Sequence, residues 1–454
     1  MKVDIISREN IKPSSPTPQH LQTFNLSVLH QLIPSPYAPI ILYYPNQDTT
    51  NFDVHEQQDQ LKISLSQTLT HFYPLAGTIK DDLSIDCDDV GAYYAIARVN
   101  TSLIEFLKHL DLDLINRFLP CDPTFSRSSL GNYVTNVQVN VFECGGFAIG
   151  LCISHIILDG TAVANFLKCW AALHDTIHSQ MLNSKKCKKS KEVIYPNLTT
   201  PFNPATNTHL RNSSMAMWGS LIKIGKCNTR RFVFHSSSIA ILKAEASKTG
   251  IQHPTRVELV SAFLWKCVMA AYTQKRGFEN PSLMTHAVNL RKRSAPTLSE
   301  NTIGNLVWLA SSECKTMNNM KLHDLVDQVR GSITEINGEF VGKLQGDDEG
   351  VIQVMEESLK GMIDCGRNEN VDFIGFTSWC KMGFYDVDFG WGKPIWVCSN
   401  VANGGSVFTD FVVMMDTRCG DGIEAWVNMD EQEMSILQHN PELLTLASLD
   451  PSPM

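Results

Sequence analysis

At 454 residues with 43% hydrophobic side chains, the chain exceeds one ordinary core, so two domains are expected. Its net charge is −9 and its basic residues are scattered, except for Lys185, Lys186, Lys188, Lys189 and Lys191; a nucleic-acid partner is excluded, and that run reads as a solvated linker. The thirteen cysteines form no Cys-x-x-Cys pair, and neither a signal peptide nor a bilayer-length apolar stretch is present, so a cytoplasmic protein with no membrane partner is expected.

The elements follow in chain order. The proline-stiffened segment Lys12-Pro13-Ser14-Ser15-Pro16-Thr17-Pro18 opens the fold, and Ile40, Ile41, Leu42, Tyr43 and Tyr44 make a strand ended by Pro45. Leu61, Leu65, Leu69 and Phe72 form a helical stripe that stops at Pro74 and Gly77. Short strands follow over 84–87 and 93–99. Val137, Val139 and Val141 alternate with polar neighbours, and Cys144-Gly145-Gly146 is a tight reversal into a second strand over 147–153. After Gly160 the spacing of Ala162, Val163, Phe166, Leu167 and Trp170 is helical.

His155 and Asp159 therefore lie in a strand-to-helix connection, where rigid elements on both sides can hold a reactive group. Three readings of this His-x-x-x-Asp-Gly compete: a hydrogen-bonded turn histidine, a metal site and a general base. The glycine and the preceding strand argue against one helix face carrying both residues, and no further ligand cluster lies nearby, so metal is discounted.

From about 181 to 229 periodicity is lost and Lys, Asn, Pro, Ser and Thr gather, which marks a long crossover between a domain of residues 1–180 and one of 230–454. The second half restarts with a strand over 231–234, helices over 238–248 and 256–273 and a buried strand over 284–290. Alternation continues through Val413, Met414 and Met415 to Trp426, so the fold class is α/β. Three clusters stand out. Asn289-Leu290-Arg291 ends a strand with a guanidinium, Thr377-Ser378-Trp379 ends another with a hydroxyl pair and an indole, and Asp388-Phe389-Gly390-Trp391-Gly392 reads as a structured loop, because each glycine costs a helix about 1 kcal/mol.

Together these residues resemble the plant BAHD acyl-CoA-dependent acyltransferases, whose two signatures are His-x-x-x-Asp-Gly in mid-chain and Asp-Phe-Gly-Trp-Gly towards the carboxyl end. Both are complete here, at 155–160 and 388–392. The likeness continues through Phe72-Tyr73-Pro74-Leu75-Ala76-Gly77, Asn289-Leu290-Arg291 and Gly304-Asn305. Pro13-Ser14-Ser15-Pro16-Thr17-Pro18, Phe142-Glu143-Cys144-Gly145-Gly146 and Met415-Asp416-Thr417-Arg418 resemble the alkaloid-acetylating branch that includes vinorine synthase. The chain departs from the family at His30, where an Asp is common, and at Thr78, where an Arg is common; His30 is expected to alter the rim of the site.

The resemblance implies two similar domains like chloramphenicol acetyltransferase, each a mixed sheet with flanking helices, with a channel between them. It implies a monomer whose two partners are an acyl-CoA co-substrate, acetyl-CoA above all, and a small-molecule alcohol, with no permanently bound cofactor and no metal. On that pattern His155 is the general base, and Thr377 and Trp379 stabilise the oxyanion. Asp159 pairs with Arg291 to hold the turn, with Gly160 structural beside it, and Asp388, Phe389, Gly390, Trp391 and Gly392 shape the second domain and the CoA mouth. The acceptor implied is an alkaloid hydroxyl, with a sugar or terpenoid alcohol as runner-up. A serine hydrolase is disfavoured because no Gly-x-Ser-x-Gly elbow occurs, and a non-catalytic binding relative would be expected to lose His155 or Gly160.

Overall fold

The computed structural model describes all residues except 34–36, 47–53, 123–132, 182–191, 200, 249, 317–319, 347, 367, 369, 400–401 and 403–406. The lysine run at 185–191 thus lies outside the described residues. Two mixed sheets dominate. The first runs in the order Val3–Ile11, Ala92–Val99, Thr135–Phe142, Phe147–Ser154, Tyr37–Tyr44, Trp396–Cys398, all antiparallel but for the parallel pair Ala92–Val99 and Thr135–Phe142. The second is Val307–Cys314, Ser282–Asn289, Asp372–Ser378, Phe411–Asp416, Ile423–Asp430, Cys227–Phe234, Ser448–Leu449.

Tyr37–Tyr44 and Phe147–Ser154 are buried at every position, which explains why their sequences are continuous apolar runs and not alternations. The reversal before Phe147 needs Gly145, whose φ of +78° falls in the left-handed region, and it is closed by the Gly145 amide donating to the Phe142 carbonyl at 2.9 Å. Helix Gly160–Met181 lies across helix Val54–His71, with Phe166 edge-on to Phe72 at 5.3 Å and the Trp170 indole donating to Ser64 Oγ at 3.0 Å.

The structure differs from the sequence expectation in three places. A strand, Val3–Ile11, precedes the proline-rich entry; it is an edge strand whose residues are mostly exposed, so it carries charges and lacks an apolar signature. The crossover is not all loop, because His209–Leu221 is a helix and the strand Cys227–Phe234 begins before residue 230. Met217, Trp218 and Leu221 are buried there, and at about 1.5–3 kcal/mol per large apolar side chain their burial outweighs the weak local helix preference of an Asn- and Ser-containing segment. Finally, the halves are not separate in sequence. Trp396–Cys398, from the second half, completes the first sheet beside Tyr37–Tyr44, and Phe384, Val387, Phe389 and Ile395 lie in the first core.

That insertion fixes the two sheets to each other. Arg231, from the second sheet, lies 5.2 Å from the Trp396 ring and 5.8 Å from the Trp426 ring, and pairs with Glu424 at 2.8 Å. The carboxyl-terminal tail bridges the halves as well, through Ser452 Oγ donating to the Leu107 carbonyl at 2.9 Å. Among the described residues, no helix is long and apolar enough to cross a membrane, and no group of three His, Cys, Asp or Glu could hold a metal.

Candidate active site

The strand Phe147–Ser154 ends immediately before His155, and the helix that begins at Gly160 is capped by Asp159, whose Oδ1 accepts the Ala162 amide at 2.9 Å. The five residues between sheet and helix, 155–159, are thus held at both ends. Gly160 makes room for a close contact: a Cβ there would lie 3.0 Å from Met382 Sδ and 3.2 Å from Trp379 Nε1, so those side chains would have to give way by a few tenths of an ångström. The glycine of the motif lets the indole of the second half approach the turn of the first.

His155 is half-buried and borders a cavity of about 310 Å³ between the two sheets. Asp159, Gly160, Thr377 and Trp379 border the same cavity, while Arg291 sits behind Asp159. Asn305, 150 positions along the chain, holds the imidazole. Its amide donates to the His155 backbone carbonyl, which turns its Oδ1 towards His155 Nδ1 at 3.2 Å. A carbonyl oxygen accepts only, so Nδ1 carries the proton and Nε2 keeps its lone pair. That tautomer is the one a base needs.

Burial lowers the His155 pKa below the ordinary 6.5, against the raising effects of its own backbone carbonyl, Asp159 and the Asn305 amide. The acidic limb of kcat/KM is therefore expected below pH 6.5, since a depressed pKa keeps the base form present at lower pH. Asn305→Asp would set a carboxylate against Nδ1–H, favour the imidazolium and move that limb up by about 1–3 units. A pH–rate profile of the two proteins checks both statements; an unmoved limb would separate Asn305 from the base.

Asp159 is not the second member of a triad. Its carboxylate, 2% exposed, takes Arg291 Nη1 at 2.7 Å and Nη2 at 3.0 Å, the Leu306 amide at 2.9 Å and the Ala162 amide. Arg291, 0% exposed, is equally occupied: Nε and Nη2 also donate to the Thr302 carbonyl and Nη1 to Asn289 Oδ1, so all five of its donors have acceptors. The pair ties the 155–159 turn of the first half to the Asn289–Arg291 corner and the 302–306 segment of the second.

The segment 388–392 does not border the cavity, and the expectation that it shapes the second domain is corrected by its contacts. Phe389 is 0% exposed and meets Trp170 edge-on at 5.2 Å; Trp391 lies 4.6 Å from the His174 ring and 5.6 Å from that of Phe147. The His174 imidazole bonds the Phe389 carbonyl at 2.5 Å, the Tyr44 hydroxyl donates to the Val387 carbonyl at 2.9 Å, and Asp388 Oδ1 accepts the Gly390 and Gly392 amides, each at 2.9 Å. The loop is a plug in the core of the first half. Gly390 has φ +102°, and a Cβ would lie 2.8 Å from Asp175 Oδ1. Gly390→Ala is expected to destabilise the protein by about 1–3 kcal/mol, lowering the melting temperature while the activity per folded molecule is kept; melting curves and specific activity measured together check this.

His30 does not lie on the rim of the cavity. It is 2% exposed, accepts the Ser27 amide at 3.1 Å through Nδ1, and is held neutral by burial, which lowers its pKa to about 4. Thr78 bonds Asp88 at 2.9 Å. The contact of Asn305 with the imidazole is what motif reading did not foresee; its signal was the Gly304-Asn305 pair, in which Gly304 has φ +140°.

Residues 1–444 match the model of a transferase family. The chain is 40% identical to the limonoid 7-O-acetyltransferase of Citrus sinensis over the full length of both, and 35% identical to the stemmadenine O-acetyltransferase of Catharanthus roseus over 99% of each. The crystal structure of vinorine synthase matches with a TM-score of 0.80 at 34% identity, covering 98% of this chain and 99% of that one. The match over nearly all of the chain, and the placement of both signatures, show that this chain belongs to that transferase family, the plant BAHD acyltransferases.

Proposed function

We propose that the protein transfers an acyl group from acyl-CoA, acetyl above all, to a hydroxyl of a bulky plant specialised metabolite, with His155 as base in a ternary complex. The alcohol oxygen attacks the thioester carbonyl as His155 Nε2 takes its proton. The C–O bond forms, the C–S bond breaks, and the imidazolium returns the proton to the CoA thiolate, leaving ester and free thiol. Thr377 Oγ1–H and the Trp379 indole N–H supply donors for the intermediate oxyanion; the support is that both border the cavity with His155. Alignment of two bound substrates can lower the barrier by about 7–11 kcal/mol, more than the 10²–10⁴-fold a base contributes, so the cavity is the larger device.

The observation that carries this reading is the division of labour around the turn: Nδ1 is engaged by Asn305, Asp159 by Arg291, and the imidazole borders the cavity. Limonoid and alkaloid acetyltransferases are both among the relatives, and each is a candidate for the acceptor class. The test is thiol release by the purified protein from a panel of acyl-CoAs with hydroxylated acceptors. Release that depends on acceptor and is fastest from acetyl-CoA is expected; release indifferent to acceptor would refute transfer. A cytoplasmic monomer is part of the same proposal.

A further inference from the structure

We propose that the acceptor is taken up as an uncharged molecule, so that a neutral polycyclic alcohol of the terpenoid kind is preferred and an alkaloid alcohol reacts only with its amine deprotonated. This rests on the acyl-transfer reading above. Apart from His155, the sole ionisable acid or base among the described residues bordering the cavity, leaving tyrosine aside, is Asp159, whose carboxylate is fully occupied by Arg291 and two backbone amides.

Acids close to the walls are engaged elsewhere. Asp410 stands between Thr409 and Phe411, which both border the cavity, but it does not line the cavity itself; its charge is matched by Lys223 Nζ at 2.5 Å from Oδ2, which also takes the Tyr272 hydroxyl at 2.6 Å, while Oδ1 is buried without a partner among the described residues. Glu424 pairs with Arg231 behind Trp426. The sequence between Ser399 and Val407 is Asn-Val-Ala-Asn-Gly-Gly-Ser, and Pro-Ser-Pro fills 34–36 beside Ile33 and Tyr37, so neither flanking stretch contains an acid.

Several polar groups on the walls are already engaged, and those buried without a partner among the described residues, Thr409 Oγ1 and the Trp426 indole N–H, carry no charge. Thr229 Oγ1 accepts the Ala402 amide at 2.9 Å, Asn428 donates to the Thr409 carbonyl at 3.1 Å, Asn289 to Thr161 Oγ1 at 3.1 Å, and the Tyr37 hydroxyl to the Tyr133 carbonyl at 2.6 Å. An ammonium in this chamber would give up its hydration with no carboxylate to replace it. Losing the proton before entry is the easier course, and each pH unit below the amine pKa then costs a factor of ten in reactive substrate.

The experiment measures kcat/KM with acetyl-CoA for a neutral limonoid alcohol and for a hydroxylated tertiary-amine alkaloid of similar size, from pH 6.5 to 9. Dividing the second by the first cancels the titration of the enzyme's own groups. A ratio that rises tenfold per unit until the amine pKa, then levels, is expected. A ratio flat with pH overturns the inference, whereas thiol release with no acceptor at any pH overturns the acyl-transfer reading beneath it. Ala287→Asp, which adds a carboxylate to the wall, should raise the ratio at pH 7 by tenfold or more, and no gain in a folded variant counts against the inference. The wild-type ratio decides even where that variant fails to fold.

Discussion

His155→Ala is expected to lower kcat/KM for acyl transfer by about 10²–10⁴-fold with the melting temperature close to that of wild type. The two halves of this expectation have separate causes. The imidazole is half-buried at a cavity wall and is not packed in a core, so its removal opens space continuous with the cavity and leaves no sealed void. Only its bond to Asn305 is lost from the side-chain network, and the Asn305 amide keeps its bond to the residue 155 carbonyl. CoA binding should persist, because the base acts on the acceptor hydroxyl. Thiol release, a thermal melt and CoA titration of the one variant check all three, and turnover near wild type would remove His155 from the mechanism.

Asp159→Asn is expected to injure the fold itself. The substitution leaves a guanidinium that is 0% exposed without its counter-charge, and breaking one side of a buried pair costs about 3–5 kcal/mol. In either orientation its amide nitrogen replaces an oxygen that accepts from both Arg291 and a backbone amide, Leu306 at Oδ2 or Ala162 at Oδ1, so two hydrogen bonds are lost whichever way the side chain is turned. Lower soluble yield and a lower melting temperature should accompany the loss of activity, while the acidic limb of whatever activity survives should move, if at all, to lower pH, because the Asp159 charge raises the His155 pKa. An intact fold with a strongly shifted pH profile would instead make Asp159 a partner of the imidazole.

Much of the site was legible in the sequence because it is local. The strand, the turn and the helix that mount His155 lie in consecutive positions, and the continuous apolar run of the strand gives way to helical spacing where the structure places the change. What stayed hidden is non-local. Asn305 contacts His155 across 150 residues, and the pairing of Trp396–Cys398 with Tyr37–Tyr44 joins the two ends of the chain. The segment 388–392 was recognised as a loop from its glycines, but its partners Trp170, His174 and Phe147 carry no local mark of that contact. The helix His209–Leu221 was hidden for a related reason, since tertiary burial of Trp218 and its neighbours, and not local preference, holds it. For Val3–Ile11 the cause is exposure: an edge strand with polar residues resembles a tail.

On the proposed mechanism one imidazole acts as base while both substrates are bound, and the initial-velocity pattern with acyl-CoA and acceptor varied together tests this most directly. Reciprocal plots that intersect are expected, as for direct transfer in a ternary complex. Parallel lines, the mark of an acyl-enzyme formed before the acceptor arrives, would contradict it and make some side chain of the cavity a nucleophile.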